Sequence, residues 1–302
     1  MPELILHHYD MSPYAEKIRL VFGSKGLAWR SVQIPIVMPK PDLTELTGGY
    51  RRTPVLQIGA DVYCDTKACV RVLERLHPQP CLVPPADEAT VWGLSRFAET
   101  SFMMAVTIFL GAGGLFDEAF VEDRKKMAPG IDFSGAGRIV PAKLLQLRAN
   151  LDLLERQLAD GRSFLLGEAL CLADLAAYHP HMFLGAHPLT AALLEPLVRV
   201  PAWMQRVAAT GHGKRVELEA DEAIEIARDA TPAPPSDEPC VLPDGLALGD
   251  PVAVVPEEVG SGVVTGELMA SGVHEIVIRR RSQRAGEIAV HFPREDYLVT
   301  RV

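Results

Sequence analysis

Residues 9–20 read YDMSPYAEKIRL, and within them Ser12-Pro13-Tyr14-Ala15 has the outline of a dithiol redox motif whose two cysteines are replaced by serine and alanine. Serine is a favoured helix N-cap and proline suits the first helical position, so this stretch predicts a helix that begins at Ser12. A hydroxyl beside the first N–H groups of a helix can hold an anion such as a thiolate. Ser12 is therefore either a plain helix cap or the residue that activates a thiol supplied by a ligand.

The segments around this motif alternate between strand and helix patterns. They predict a strand, the helix from Ser12, a second strand, a short helix, a β-hairpin and a helix capped by Asp65 or Thr66, over residues 3–8, 12–26, 28–34, 40–46, 54–64 and 66–76. A parallel return across the first helix gives a βαβ unit. The order β-α-β-α-β-β-α is typical of an α/β thioredoxin-like domain, which we place at residues 1–78.

The remainder of the chain divides at two proline-rich linkers, residues 77–86 and 231–243. Between them the patterns are helical, including a last helix expected over residues 213–228, so we predict an all-α helical domain at residues 87–228. Five leucines at helical spacing predict a buried seam in it: Leu144, Leu147, Leu151, Leu154 and Leu158. Short β-branched segments punctuated by glycine then predict a small SH3-like β-barrel at residues 244–302.

The bulk properties of the 302-residue chain disfavour several classes of protein. A net charge of −9 disfavours a general binder of nucleic acids or anionic membranes. Four arginines within residues 279–284 fit a solvated or salt-bridged loop, with a nucleic-acid contact as the alternative. The first residues lack a signal-peptide pattern, and no apolar run is long enough to cross a bilayer. Five cysteines without a CxxC pair or metal-ligand spacing predict reduced thiols in the cytoplasm and no metal site.

Several motifs together resemble one family. SPYAEKIRL is similar to the S-P-[YF]-x-x-[KR]-[VI]-R stretch of the serine-type glutathione transferases, and GYRRTPVL resembles the segment around their cis-proline. CDT at residues 64–66 resembles their acidic-Ser/Thr pair. FLLGEALCLADLAA and PAWMQRVAATGHG resemble two helices of their second domain. Each motif is weak alone, but their order along about three quarters of the chain identifies a bacterial glutathione S-transferase with an added C-terminal β-rich extension.

The resemblance implies how glutathione would bind. Thr53 would pair its backbone N–H and C=O with the tripeptide, Pro54 would carry the cis bond, and Arg52 would contact the ligand. Asp65 and Thr66 would hold the γ-glutamyl group. Physical chemistry agrees, because a carboxylate accepts from an ammonium group and a helix N-terminus favours a carboxylate. The alternatives are that Asp65 and Thr66 only cap their helix and that Arg52 is solvated.

The resemblance also implies the chemistry. Ser12 would be the catalytic residue that stabilises the glutathione thiolate, with Tyr9 as an alternative partner of the thiol. The thiolate would attack a hydrophobic electrophile. That co-substrate would lie against the helix containing Phe102, Met103 and Met104, unless these three residues belong to the core.

The same site also permits two other functions, a glutathione-dependent isomerase or dehalogenase and a non-catalytic scaffold. The family further implies a homodimer. Because none of the implied ligand residues lies in the C-terminal extension, we expect a chain that ends near Arg228 to bind glutathione.

Overall fold

The computed structural model describes residues 3–127, 135–234, 239–257 and 262–302. Its strands are β1 (Ile5–His8), β2 (Ala28–Gln33), β3 (Val55–Ile58), β4 (Asp61–Cys64), β5 (Lys214–Glu217), β6 (Pro251–Pro256), β7 (Val264–Ser271), β8 (Glu275–Ser282), β9 (Gly286–Pro293) and β10 (Tyr297–Arg301). Within the described residues they form one sheet in the order β10-β6-β7-β8-β9-β4-β3-β1-β2-β5.

The helices fall into two groups along the chain. Those of the N-terminal α/β region are α1 (Pro13–Ser24), α2 (Pro41–Thr47) and α3 (Thr66–Leu76). They are followed by α4 (Glu88–Ala112), α5 (Glu118–Met127), α6 (Ala136–Gln157), α7 (Leu172–Met182), a 3-10 turn (Phe183–Ala186), α8 (Pro188–Ala191), α9 (Arg199–Ala208) and α10 (Ala220–Asp229). Among the helices that the structure describes, none combines the length and the hydrophobicity that a membrane span requires.

The N-terminal region has the predicted thioredoxin-like arrangement. β1 pairs with β2 in parallel across α1, and β3 and β4 form an antiparallel hairpin whose first strand pairs with β1. α1 begins as predicted, because the Ser12 hydroxyl accepts a hydrogen bond from the Ala15 N–H at 3.2 Å and Pro13 occupies the first turn. The chain leaves α1 through Gly26, whose φ of +62° is a conformation that glycine adopts without steric cost.

A helical core covers one face of this sheet. Four of the five predicted seam leucines are buried on or next to α6, namely Leu147, Leu151, Leu154 and Leu158. At the start of α7 the buried Asp174 carboxylate accepts hydrogen bonds from the Cys171 N–H at 3.0 Å, the Leu165 N–H at 2.8 Å and the Trp203 Nε1–H at 2.9 Å. One carboxylate therefore joins the segment before α7, the helix itself and α9.

The helix predicted over residues 213–228 is wrong in its first part. Residues Lys214–Glu217 form β5, which pairs in parallel with β2 at the edge of the sheet, and the helix begins only at Ala220. All four side chains of β5 are exposed, so no alternation of apolar residues marks this strand in the sequence. Backbone pairing decides its conformation: the Lys214 N–H donates to the Leu27 carbonyl at 2.8 Å and the Leu218 N–H to the Ser31 carbonyl at 2.9 Å.

An additional β-rich region follows the helices, as the sequence predicts. Strands β6 to β10 are antiparallel neighbours, and their predicted interior residues are buried: Val252, Val254, Ile276, Ile278, Ile288, Val290 and Phe292. This region joins the N-terminal sheet, because β9 pairs in parallel with β4 from Asp61–Ala289 to Tyr63–His291. We call residues 239–302 the C-terminal β-rich region; its classification as an SH3-like barrel and the exact domain boundaries remain predictions.

A buried histidine holds the junction between β4 and β9. His291 forms hydrogen bonds through Nε2 to Asp61 and through Nδ1 to Glu275, both at 2.9 Å, and its ring stacks on Tyr63. Burial disfavours a charge on His291, but the hydrogen bonds to the two carboxylates outweigh burial and raise the pKa of the imidazole. A protonated His291 therefore bridges one carboxylate from each side of the junction.

The arginine cluster of residues 279–284 is engaged within the chain. Arg279 pairs with Glu267 at 3.4 Å, and Arg281 pairs with Glu287 at 3.3 Å. Arg284 reaches Asp42 at 2.8 Å and Asp221 at 2.6 Å, outside the C-terminal β-rich region. The salt-bridged interpretation of this cluster therefore describes these three arginines.

Candidate functional site

The sheet topology brings three of the predicted site segments to one edge. His7 of β1 lies opposite Val55, the first residue of β3, and Val55 lies opposite Cys64, the last residue of β4. The loop to Ser12 leaves β1 at this edge, Thr53-Pro54 enters β3 there, and Asp65-Thr66 leaves β4 there. Residues that are distant in sequence thus surround the same end of three neighbouring strands.

Ser12 lies between β1 and α1 and caps the helix. Its N–H donates to the Tyr9 carbonyl at 3.0 Å, and its Oγ accepts from the Ala15 N–H at 3.2 Å. Because the oxygen accepts in the cap, the hydroxyl proton can be donated to a second partner. The Ser12 residue is 1% exposed, whereas Tyr9 is only half-buried. A ligand would therefore reach the Ser12 hydroxyl only if the groups that cover it move.

A buried ion pair fixes the turn that carries Ser12. The Arg19 guanidinium donates to Glu16 at 2.7 Å, to the His8 Nδ1 at 3.0 Å and to the Asp10 carbonyl at 2.9 Å. Burial, followed by the positive charge of Arg19, lowers the pKa of His8 to about 3, so this imidazole is neutral and can accept from Arg19. The loop between β1 and α1 is thus held by contacts within residues 8–19 and by Arg215, which donates to the Asp10 carboxylate at 2.7 Å.

The second segment contains the predicted cis-proline. The Thr53–Pro54 bond is cis, Pro54 is buried, and Thr53 is partly exposed beside it. The Lys40 Nζ donates to the Thr53 Oγ1 at 3.1 Å and to the Arg51 carbonyl at 3.2 Å. Burial, followed by the charge of Arg124, lowers the pKa of Lys40 to about 8. A pKa of about 8 leaves Lys40 mostly protonated at pH 7, so this residue adds a positive charge to the segment.

The sequence motifs do not include Lys40, which is predicted only as the start of a short helix. A signal was nevertheless present. Lys40 stands at the N-cap of α2, where the helix dipole disfavours a cation. A basic residue in that position points to a role outside the helix.

The third segment begins with an unusual backbone conformation. Asp65 has a φ of +77° and caps α3, with its Oδ1 accepting from the Lys67 N–H at 2.9 Å. Placing a non-glycine residue in a positive-φ backbone conformation costs about 1–3 kcal/mol, and residues strained in this way concentrate at functional sites. Thr66 is the buried first residue of α3. The structure thus places Asp65 and Thr66 at a helix N-terminus, as predicted.

Two tyrosines that the sequence analysis did not consider adjoin Asp65. The Tyr297 Oη, from the C-terminal β-rich region, lies 3.3 Å from the Asp65 Oδ2 and 3.3 Å from the Tyr50 Oη. Arg52 is half-buried, and its charge opposes the rise that burial causes in the pKa of both phenols. Arg52 is therefore part of the surroundings of Asp65 as well as the neighbour of Thr53.

The three residues proposed to face a co-substrate do not share one environment. The Phe102 ring meets the Tyr14 ring edge-on at 4.9 Å between centroids, beside the start of α1. Met103 is 45% exposed, and the partly buried Met104 packs against the helical core. Phe102 therefore adjoins the Ser12 motif, whereas Met103 projects to the surface and Met104 joins the core.

Comparisons with known proteins agree with this architecture. Residues 6–81 match the family described as "Glutathione S-transferase, N-terminal domain". Over the full length of both chains, the structure is similar to that of a GST-like protein from Pseudomonas syringae, with 42% sequence identity and a TM-score of 0.83. The similarity therefore includes the C-terminal β-rich region.

Two curated proteins match shorter parts. FtsZ-localized protein A from Caulobacter vibrioides is 26% identical over 180 residues, which are 58% of this chain and 74% of that protein. Glutathione S-transferase theta-1 from Rattus norvegicus is 34% identical over 112 residues, which are 36% of this chain and 45% of that protein.

Proposed function

The chain belongs to the glutathione S-transferase family, and we propose that it binds glutathione and activates the glutathione thiol for attack on a hydrophobic electrophile. The observation that carries this proposal is the convergence of the Ser12, Thr53-Pro54 and Asp65-Thr66 segments at one edge of the sheet. That edge offers a hydroxyl at a helix N-terminus, an extended backbone segment and a carboxylate at a second helix N-terminus. These groups match a thiol, a peptide backbone and an α-amino acid end.

Five residues would hold the tripeptide. The Thr53 backbone N–H and C=O would pair with the cysteinyl part, in the manner of an added strand. The Asp65 carboxylate would accept from the α-ammonium, and Thr66 at the start of α3 would donate to the α-carboxylate. Lys40, which contacts the Thr53 hydroxyl, and Arg52, which precedes Thr53 in the chain, would neutralise the glycine carboxylate. The charges of these side chains complement a ligand with two carboxylates and one ammonium group.

The Ser12 hydroxyl and the N-terminus of α1 would together stabilise the glutathione thiolate enough to activate it. A free thiol has a pKa of about 8.5, and lowering it by about two units requires about 2.7 kcal/mol in favour of the thiolate. A hydrogen bond from the Ser12 hydroxyl to a charged acceptor contributes about 1.5–3 kcal/mol. The N-terminus of α1 adds about 0.3–1 kcal/mol. Ser12 and its helix together therefore account for a thiol that is largely ionised at neutral pH.

Tyr9 is the competing partner of the thiol. It lies on the same loop and is more exposed than Ser12. Two variants separate the roles, because Ser12→Ala removes one hydroxyl and Tyr9→Phe removes the other. We expect the alanine variant to bind glutathione and to lose conjugation rate, while the phenylalanine variant keeps both. The reverse result would assign the thiol to Tyr9.

The direct test is binding followed by turnover. We expect the wild-type protein to bind glutathione in calorimetry, to gain thermal stability from it, and to conjugate members of a panel of electrophiles. Analysis of the products would distinguish transfer from isomerisation or dehalogenation at the same site. A folded protein that does not bind glutathione would contradict the proposal.

A second candidate function is a non-catalytic scaffold. The similarity to FtsZ-localized protein A favours it, because the name of that relative describes a location and no reaction. On this account the protein keeps the fold and lacks turnover. Binding of glutathione without conjugation of any electrophile in the panel would support the scaffold.

The family resemblance also supports two proposals about assembly and location. We propose a homodimer, which light scattering coupled to size-exclusion chromatography tests. We propose a cytoplasmic location, which fractionation of cells that express the protein tests.

A further inference from the structure

The end of β9 brings the C-terminal β-rich region to the candidate site. β9 runs parallel to β4, so both strands leave the sheet at the same edge, β4 into Asp65 and β9 into residues 294–296. Asp296 pairs there with Lys67 and, at 3.4 Å, with Arg96. These ion pairs hold the turn before Tyr297 against the first turn of α3 and against α4.

Glu295, the residue before Asp296, forms a bidentate ion pair. Arg71 of α3 donates to the two carboxylate oxygens of Glu295 at 2.8 and 2.5 Å. Bidentate pairs of this kind fix orientation as well as distance. The position of Tyr297 is therefore set by three ion pairs of two consecutive acidic residues, two of them with α3 and one with α4.

Tyr297 ends a short chain of hydroxyls that points at Asp65. Its Oη is 3.3 Å from the Asp65 Oδ2 and 3.3 Å from the Tyr50 Oη, and both tyrosines are buried. Burial raises the pKa of both phenols well above the usual value, so both hydroxyls carry a proton at neutral pH. With one proton each, Tyr50 can donate to the Tyr297 oxygen while Tyr297 donates to Asp65.

The Asp65 carboxylate is therefore held from two sides. The Oδ1 accepts from the Lys67 N–H of its own helix, and the Oδ2 faces the hydroxyl of a residue 232 positions away in sequence. Asp65 remains partly exposed, and each carboxylate oxygen has a second acceptor position. A ligand ammonium group would meet a carboxylate whose orientation is already fixed, which reduces the ordering that binding requires.

The same region also packs against the loop that leads to Arg52 and Thr53. A Cβ built on Gly262 would lie 2.7 Å from the Gly49 carbonyl, and a Cβ built on Gly48 would lie 2.2 Å from the Arg280 Nε. The two backbones and the guanidinium are thus in direct contact where neither glycine has space for a side chain. The C-terminal β-rich region supports two of the three segments of the candidate site.

From these contacts we infer that Tyr297 is a positioning residue of the glutathione site: it orients the Asp65 carboxylate toward the α-ammonium group of the ligand. This inference rests on the proposed function. It changes the expectation from sequence that the C-terminal region has no part in glutathione binding. A chain that ends near Arg228 lacks Tyr297 and should bind glutathione more weakly than the full chain.

A cycle of two ligands and two proteins tests the inference on the full-length chain. The ligands are glutathione and glutaryl-Cys-Gly, which is glutathione without its α-amino group. The proteins are wild type and Tyr297→Phe. We expect the substitution to weaken glutathione binding about tenfold and to leave binding of glutaryl-Cys-Gly within about twofold, because only glutathione presents the ammonium group.

Tyr63→Phe is the matched control. It removes a phenol hydroxyl from a buried residue of β4, the strand that leads to Asp65, on a side chain that packs in a different core cluster from Tyr297. It should affect the two ligands equally. If Tyr297→Phe does not fold, as judged by circular dichroism, Asp296→Asn replaces it. That variant loosens the turn before Tyr297 and should weaken glutathione binding selectively, by a smaller factor.

Three outcomes are decisive. Selective loss of glutathione binding supports the positioning role. Equal loss of both ligands, or no loss, overturns that role and leaves the proposed function intact, because wild type still binds glutathione. A wild-type protein that binds neither ligand overturns the proposed function and this inference with it.

Discussion

The two ends of the candidate site are built in different ways. At the thiol end, Ser12 is held by its own helix and by the Arg19 cluster of residues 8–19, with added contacts from His212 to Glu16 at 2.9 Å and from Arg215 to Asp10 at 2.7 Å. At the glutamyl end, Asp65 depends on Tyr297, which lies 232 positions further along the chain. The contacts of Ser12 itself are local, and a short motif specifies them. The glutamyl end is complete only when the C-terminal β-rich region packs on the sheet.

This difference predicts that the two ends respond separately to substitution. Changes near Ser12 should alter the ionisation of the bound thiol, whereas changes near Asp65 or Tyr297 should alter affinity for the γ-glutamyl group.

Arg19→Met should have the largest effect on stability. The substitution removes the Arg19 guanidinium from the buried Glu16 carboxylate, which keeps its 2.9 Å contact with the exposed His212. Removing one partner of a buried ion pair typically costs about 3–5 kcal/mol of the free energy of unfolding. Denaturant titration measures this loss. The control is Arg156→Ala, since Arg156 forms an exposed pair with Asp152 on α6 and should change the free energy of unfolding little. Equal stability of both variants would show that the Arg19 cluster does not hold the thiol end.

Asp65→Asn should have the next largest effect, and it should fall on affinity. Loss of the negative charge removes a charge-assisted hydrogen bond to the ligand ammonium, which corresponds to about 1.5–3 kcal/mol of binding free energy. Calorimetry with glutathione measures it, and the thermal protection that glutathione gives should fall in parallel. Asp10→Asn, a change of the same kind on the loop before Ser12, should keep normal affinity. An unchanged affinity in Asp65→Asn would remove this residue from the site.

The junction that supports the glutamyl end should weaken at alkaline pH. The pKa of His291 is raised in the folded protein, because its hydrogen bonds to Asp61 and Glu275 outweigh burial. Its contribution to stability is therefore complete below the ordinary histidine pKa of about 6.5 and is lost as the pH rises through the raised pKa. Hydrogen exchange should show smaller opening free energies for β4 and β9 amides at about pH 9 than at about pH 6.

Two comparisons control the pH experiment. Amides of β1 and β2, which lie away from His291, should not share the decrease. His291→Phe should abolish the pH dependence at the β4–β9 junction. A decrease of equal size throughout the sheet would mean that the junction has no pH response of its own.

The sequence predicts the parts of the fold that short-range chemistry decides. Ser12 followed by Pro13 marks the start of α1, and Asp65 caps α3 as expected. β5 could not be predicted in this way, because its side chains are exposed and its conformation comes from pairing with β2. A tertiary backbone contact there overrides the helical pattern.

The same limit applies to the site. The motif around Ser12 and the Thr-Pro and Asp-Thr pairs can be found in the sequence because each is contiguous. Tyr297 could not be assigned to the site, because nothing near it in sequence indicates that β9 pairs with β4 and delivers it to Asp65. Lys40 could have been found, since a cation at a helix N-terminus is electrostatically unfavourable.

An absorbance titration of the bound glutathione thiolate tests whether Ser12 stabilises it. In the wild-type protein we expect the midpoint to lie below the ordinary thiol value of about 8.5. Ser12→Ala should raise the midpoint by about one to two units, while Tyr9→Phe and Tyr297→Phe leave it unchanged. A midpoint that stays the same in Ser12→Ala, in a protein that still binds glutathione, would contradict this role of Ser12.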